Sequence, residues 1–238
     1  MKKVMVFLSF IFLLVGCGKK SDEIVMVTEA GFAPYEFYEN GEVIGVDIEI
    51  SKKIADKLGK KLVIKDVAFD SIINELNSGK ADFAAAGMSI NPERSEKVDF
   101  SIEYITSNQV VVVKKDSDIK SIDDIKDKRI SVQLGTVADT YVTKNYKDAK
   151  INRLKKFLVA AEDVKNNKSD CIVMDAIPAN ELVKSNPELK VLDGILFQDK
   201  YGMAVKKGNK ELLNSINLVL EELIKDGKID EYIIKFSE

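Results

Sequence analysis

From Ile24 to the C-terminus, short apolar runs alternate with segments whose apolar residues recur at helical spacing. That alternation confines the chain to an α/β architecture with largely parallel strands. Ile24–Val27 is expected as the first strand. Ile50, Ile54, Ala55 and Leu58 then share one face of a helix, with Asp47 as its cap and Gly59 where a left-handed stop is wanted. Leu62–Val67 reads as the second strand. Asp70 reads as the cap of a helix carrying Ile72, Ile73 and Leu76, and Asp82–Gly87 as a third strand. Asn91-Pro92 opens another helix, Asn as cap and Pro in the first turn.

The β-branched run Gln109–Val113 carries the chain into a second set of elements. Ser121–Asp124 and Thr136–Asp139 each match a capping box, and Arg129–Leu134 and Cys171–Met174 read as strands. Met203–Val205 returns as strand before the most regular helix pattern, Leu212 to Ile224, which Gly227 ends. No internal repeat or long Pro/Gly linker separates the two sets, so two lobes joined by short crossing segments are expected.

The N-terminus carries a different signal. Met1-Lys2-Lys3 supplies a positive start, and Val4–Val15 is an apolar stretch too short to cross a bilayer comfortably, the pattern of an export signal. It ends in Leu14-Val15-Gly16-Cys17, which resembles the lipobox of bacterial lipoproteins. On that resemblance residues 1–16 are the signal peptide, Cys17 is the lipid-modified first residue, and residues 17–23 are a polar tether. The expected location is the cell envelope, on the periplasmic or extracellular face of a membrane.

Composition removes several function classes. Without Lys2 and Lys3 the formal charge of −3 becomes about −5, and no basic stripe points to nucleic acid. Histidine is absent, which excludes Ser-His-Asp triads, Cys-His pairs and histidine-based zinc sites. There is no phosphate-binding P-loop motif, so ATP hydrolysis is assigned to another chain. After Cys17 the only thiol is Cys171, so stability rests on packing and not on an internal disulfide. No metal or cofactor is expected.

In open α/β sheets ligands sit beyond the carboxyl ends of strands and at helix N-termini, and polar residues stand at several such points. Arg94 is one of three arginines in a lysine-rich chain. It falls in the first turn of a helix, where a cation opposes the macrodipole. Either an anion meets it there or it pairs at the surface with Glu93 or Glu96. Gly135-Thr136 stands between strand and helix and offers backbone N–H groups, as every helix start does. Asp175 ends an apolar strand, where it either receives an ammonium group or caps the helix containing Pro178. Phe32 and Phe69 lie in loops before helices and either clamp a ligand side chain or belong to the core.

Taken together, Thr28–Phe37, Gly45–Ile50, Gly79–Ile90, Glu93-Arg94, Val98–Ser101, Gly135-Thr136, Asp175 and Gly202–Gly208 resemble the family 3 extracellular solute-binding proteins, the amino-acid receptors of ABC importers. The resemblance spans essentially the whole mature chain. It implies a periplasmic-binding-protein fold of type II, with residues 24–103 plus 202–238 as one lobe and 109–196 as the other. Segments 104–108 and 197–201 would be the hinges. It also implies that Arg94 and the Thr136 backbone take a ligand α-carboxylate, that Asp175, Ser89 and the Gly87 carbonyl take its α-ammonium, and that Phe32 and Phe69 flank its side chain. The implied partners are a permease and an ATPase in other chains, and the implied state is a monomer.

Two residues speak to the ligand's far end. Glu29 stands three residues before Phe32, and Gln133 two before Gly135. An acid plus an amide favours a polar ligand with distal donors, such as arginine, lysine or glutamine. Glu29 can equally turn outward or meet a nearby lysine. The same fold also occurs in cyclohexadienyl dehydratases, for which Glu29 is the one evident acid–base candidate.

Overall fold

The computed structural model describes residues 22–237. The export signal and Cys17 lie outside the described residues. The first set of elements is β1 (Glu23–Thr28), β2 (Gly31–Phe32), β3 (Glu36–Glu39), β4 (Glu42–Ile44), α1 (Val46–Lys57), β5 (Lys61–Asp66), α2 (Ile72–Asn77), β6 (Phe83–Ala84), α3 (Pro92–Lys97) and β7 (Val98–Phe100). The long strand β8 (Ile105–Lys114) leads into a second set, β9 (Arg129–Gln133), α4 (Val137–Asn145), β10 (Lys150–Leu154), α5 (Phe157–Lys165), β11 (Cys171–Asp175), α6 (Ala176–Ser185) and β12 (Leu189–Val191). Strand β13 (Phe197–Tyr201) leads back to β14 (Ala204–Lys206), α7 (Lys210–Lys225) and α8 (Lys228–Ser237).

Each lobe is built on one main sheet, and β2, β3 and β4 form a small antiparallel sheet of their own. The first main sheet has the order β5-β1-β6-β14-β7 and the second β10-β9-β11-β8-β12, with β13 also paired to β8. Pairs joined by helical crossovers, such as β1 with β5 and β9 with β10, are parallel. The strands that carry the chain between lobes run antiparallel to their neighbours: β8 against β11 and β13, and β14 against β6 and β7. The two crossings lie side by side, because Ile105–Gln109 pairs residue for residue with Tyr201–Phe197. A bridge from Tyr201 to Ser89 then docks the returning strand on the first lobe.

Both faces of each sheet are covered, which is why the strands read as apolar runs more than as alternations. In the first sheet Met26, Phe83 and Val205 face a core shared with Ile50 and Ile54 of α1 and Ile216 and Leu220 of α7. Val27, Ala84 and Ala204 face the opposite side, against Ile72 and Leu76 of α2. In the second, Val112, Ile172 and Met174 meet α5 and α6, while Val111, Ile130, Val132 and Val173 meet Ala138 and Val142 of α4.

Several local expectations give way to tertiary structure. Asp47 is not the cap of α1; Gly45 holds that position, and the fully buried Asp47 carboxylate accepts from Gly87 N–H at 2.9 Å and Tyr104 Oη at 2.7 Å. Asp70 caps nothing, because a 3-10 turn over Phe69–Ser71 precedes α2 and Ser71 makes no side-chain cap. The Asp82–Gly87 strand is paired only at Phe83–Ala84, since the backbone must turn towards the cleft at Gly87. The Ser121 capping box forms, on a 3-10 helix. Thr136 accepts from Asp139 N–H, but the Asp139 carboxylate reaches Gly135 N–H and leaves the box half made. Asn91 caps α3 as expected, accepting from Arg94 N–H at 2.8 Å.

Candidate functional site

The nine residues singled out from sequence converge. Glu29, Phe32, Phe69, Gly87, Ser89, Arg94, Gln133, Thr136 and Asp175 all line one cleft between the lobes. Glu36, Ala86, Val137 and Phe157 complete its wall. The lobes meet around it: Arg94 Nη2 donates to the Gly135 carbonyl at 3.0 Å, Gln133 Nε2 donates to Glu29 Oε2 at 2.9 Å, and the rings of Phe32 and Phe157 stack at 5.7 Å.

Arg94 is delivered by the short helix α3. Its side chain leaves the surface, is 7 % exposed, and donates from Nη1 to the Ser89 carbonyl at 2.6 Å. The guanidinium lies 5.2 Å over the Phe69 ring, which fixes its plane. Among the described residues no carboxylate forms an ion pair with it; Glu93 pairs with Lys97. Burial pulls the guanidinium down to about 10, opposed by the more distant charges of Asp199 and Asp175. Two of its five N–H groups are committed to carbonyls, so the fork keeps donors for an anion.

Asp175 stands across the cleft at the end of β11, 8 % exposed. It occupies the N-cap position of α6 but makes no cap bond with its side chain. Its Oδ1 accepts instead from Ser107 Oγ at 2.7 Å and Tyr201 Oη at 2.5 Å, both on the crossing strands. No lysine or arginine pairs with it among the described residues. Burial pushes its pKa up, against the two hydroxyl donors that hold it down.

Ser89 Oγ donates to Asp199 Oδ2, which turns its lone pairs away from that carboxylate. Asp199 was not singled out from sequence. It lies on β13 behind Ser89, and burial followed by the Asp175 charge pushes it up to about 6. Gly87 is required where it stands. Its φ is +50°, and a Cβ there would lie 2.7 Å from the Phe32 ring.

Phe32 is buried in the core, and its ring also lines the cleft. Glu29 neither faces solvent nor stands alone. It is 2 % exposed and meets Gln133 and, at 3.1 Å, Lys156 Nζ of the other lobe. Its pKa is raised by burial, with Gln133 and Lys156 opposing. Thr136 N–H makes a long 3.3 Å turn bond to the Gln133 carbonyl. Phe157 and Lys156, at the start of α5, escaped sequence reading. Leu158 and Val159 beside them are 59 % and 48 % exposed, so the apolar run there does not follow the buried face.

The chain is similar over its length to known proteins. It is 30 % identical to an arginine-binding extracellular protein of Bacillus subtilis (strain 168), over 92 % of this chain and 91 % of that one. Two solved structures are also similar. An ancestral arginine-binding protein bound to arginine is 42 % identical, with a TM-score of 0.85 over 90 % of this chain and 98 % of that one. An ancestral arginine-binding protein bound to glutamine is 41 % identical, with a TM-score of 0.86 over 92 % and 99 %. A family model matches residues 24–238, covering both lobes and every residue of the cleft, and the chain therefore belongs to the bacterial extracellular solute-binding proteins, family 3.

Proposed function

We propose that the cleft binds one zwitterionic α-amino acid with a polar, donor-bearing side chain and that the chain delivers it to an ABC importer. One observation carries the reading. A buried arginine and a buried aspartate face the same closed cleft from opposite lobes, and neither has an oppositely charged protein partner among the described residues. Unpaired buried charges are costly, and a zwitterion supplies both missing partners at once. Arg94, with the Thr136 backbone, takes the α-carboxylate. Asp175, Ser89 and the Gly87 carbonyl take the α-ammonium. Phe32, Phe69 and Phe157 enclose the side chain, and Glu29 with Gln133 meets its far end. Relatives named for arginine, and structures bound to arginine and to glutamine, support the polar ligand.

Because the two charges belong to different lobes, ligand favours closure about segments 104–108 and 197–201. On this reading residues 24–103 plus 202–238 move against 109–196. Cys17 carries the lipid anchor, which mass analysis of the mature chain tests: an unmodified chain beginning elsewhere would refute it. No reaction is assigned to the cleft, since Glu29, the candidate acid–base group, is already paired with Lys156 and Gln133.

A thermal-shift screen of the twenty amino acids tests the function. Stabilisation by arginine, lysine or glutamine is expected, and a response to aliphatic or acidic amino acids alone would overturn the polar-ligand reading. Arogenate returned unchanged after incubation is the expected result for a receptor.

A further inference from the structure

We propose that Lys156 is a tethered counter-ion for Glu29 that a ligand's distal cation must displace, so that Lys156 sets how strongly the cleft prefers a cationic over a neutral side chain. The inference rests on the proposed placement of the ligand's far end at Glu29. Lys156 occupies the N-cap position of α5 and makes no cap bond. A cation opposes the helix dipole there, so its placement calls for acids nearby. They come from the other lobe: Glu29 Oε1 lies 3.1 Å from Lys156 Nζ, and Asp66 Oδ2 lies at 4.0 Å.

The two acids differ in what they need. Glu29 is 2 % exposed and has Gln133 on its other oxygen, so without Lys156 its charge would be buried beside a neutral amide alone. Asp66 is 26 % exposed on its side chain and already accepts from Ala30 N–H at 2.9 Å and Tyr38 Oη at 3.2 Å. The Lys156 side chain is 44 % exposed and does not line the cleft, so it reaches Glu29 from the rim and has room to move. A guanidinium or ammonium arriving from inside the cleft takes over Glu29, and Lys156 shifts to Asp66. The ligand cation therefore gains only the difference between itself and Lys156, whereas an uncharged distal group leaves the Lys156–Glu29 pair in place.

The test compares arginine with citrulline, its neutral near-isostere, by isothermal titration of the wild type, K156M and K156R. Arginine displaces the Lys156–Glu29 pair and citrulline leaves it in place, while any other effect of the substitution on closure is common to both, so the ratio of their dissociation constants isolates the charge competition. K156M is expected to raise the preference for arginine by about five-fold, the upper scale of an ion pair whose cation is partly exposed. K156R is expected to keep the wild-type ratio. An unchanged ratio in K156M, with the wild type binding arginine, overturns this inference alone. A wild type that binds neither compound overturns the distal-cation reading and this inference with it.

Discussion

Tyr201, on the strand that returns the chain to the first lobe, donates its hydroxyl to Asp175 Oδ1 at 2.5 Å. The carboxylate proposed to hold the ligand ammonium is thus tied to the crossing itself, and Ser107 on the other crossing strand donates to the same oxygen. Tyr201→Phe removes one donor from a buried carboxylate while keeping the ring that packs on Tyr35 at 5.3 Å. Affinity is expected to fall about ten-fold or more, since hydrogen bonds to charged groups contribute about 1.5–3 kcal/mol. Titration calorimetry checks this, and native-like affinity would mean that Ser107 alone suffices.

Asp199 predicts a pH dependence. Burial and the neighbouring Asp175 charge push it up to about 6. An ammonium beside Ser89 favours the ionised carboxylate, so ligand lowers that pKa and releases protons on binding. Affinity therefore falls as the pH drops through about 6, by up to about ten-fold per unit. Without ligand the sign reverses: a folded pKa above the unfolded one means that stability falls as the pH rises through this window. Asp199→Asn flattens the affinity slope without removing it, because Asp175, facing Ser107, Tyr201 and Arg94, is also raised. Titrations at about pH 5 and pH 7.5 in two buffers of different ionisation enthalpy decide it.

Glu36 is fully buried, no donor among the described residues reaches its carboxyl oxygens, and the Asp47 carboxylate beside it can only accept its proton. Burial, then the charge of Asp47, raises its pKa well above the usual carboxyl range. Holding that proton costs stability increasingly as pH rises above the unfolded value. Glu36→Gln keeps the shape without the proton, so the ligand-free variant should melt higher than the wild type at about pH 8 and alike at about pH 5. A gain of about 2–4 °C corresponds to 1 kcal/mol in a chain of this size. A variant that melts lower at high pH would show that Glu36 is ionised and held by partners.

How much of this was legible depended on where each residue's partners lie. Arg94 stood out because a cation in a first helical turn is locally unfavourable, a conflict that a cleft anion would relieve. Asp175 ends an apolar strand, where chain position drew attention to it, whereas Gly87 entered only through the family resemblance. Asp47 was read as a cap because its partners, Gly87 and Tyr104, are 40 and 57 residues away and no local pattern announces them. Asp199 and Tyr201 lie in a short crossing strand of alternating exposure, whose meaning comes only from pairing with β8. Lys156 and Phe157 stayed hidden because exposed apolar neighbours blur the face of α5.

Amino-acid binding in the cleft depends most directly on the proposed pairing of Arg94 with a ligand carboxylate. Calorimetry of the wild type and Arg94→Ala, each titrated with the best amino acid from the screen and with its decarboxylated amine, measures that pairing alone. The wild type should prefer the amino acid by several hundred-fold or more, the scale of about 3–5 kcal/mol for stranding a buried charge. In Arg94→Ala that preference should collapse towards the affinity of the amine, with the melting temperature of the ligand-free protein little changed. A variant that keeps the wild-type preference would show that Arg94 does not hold the carboxylate.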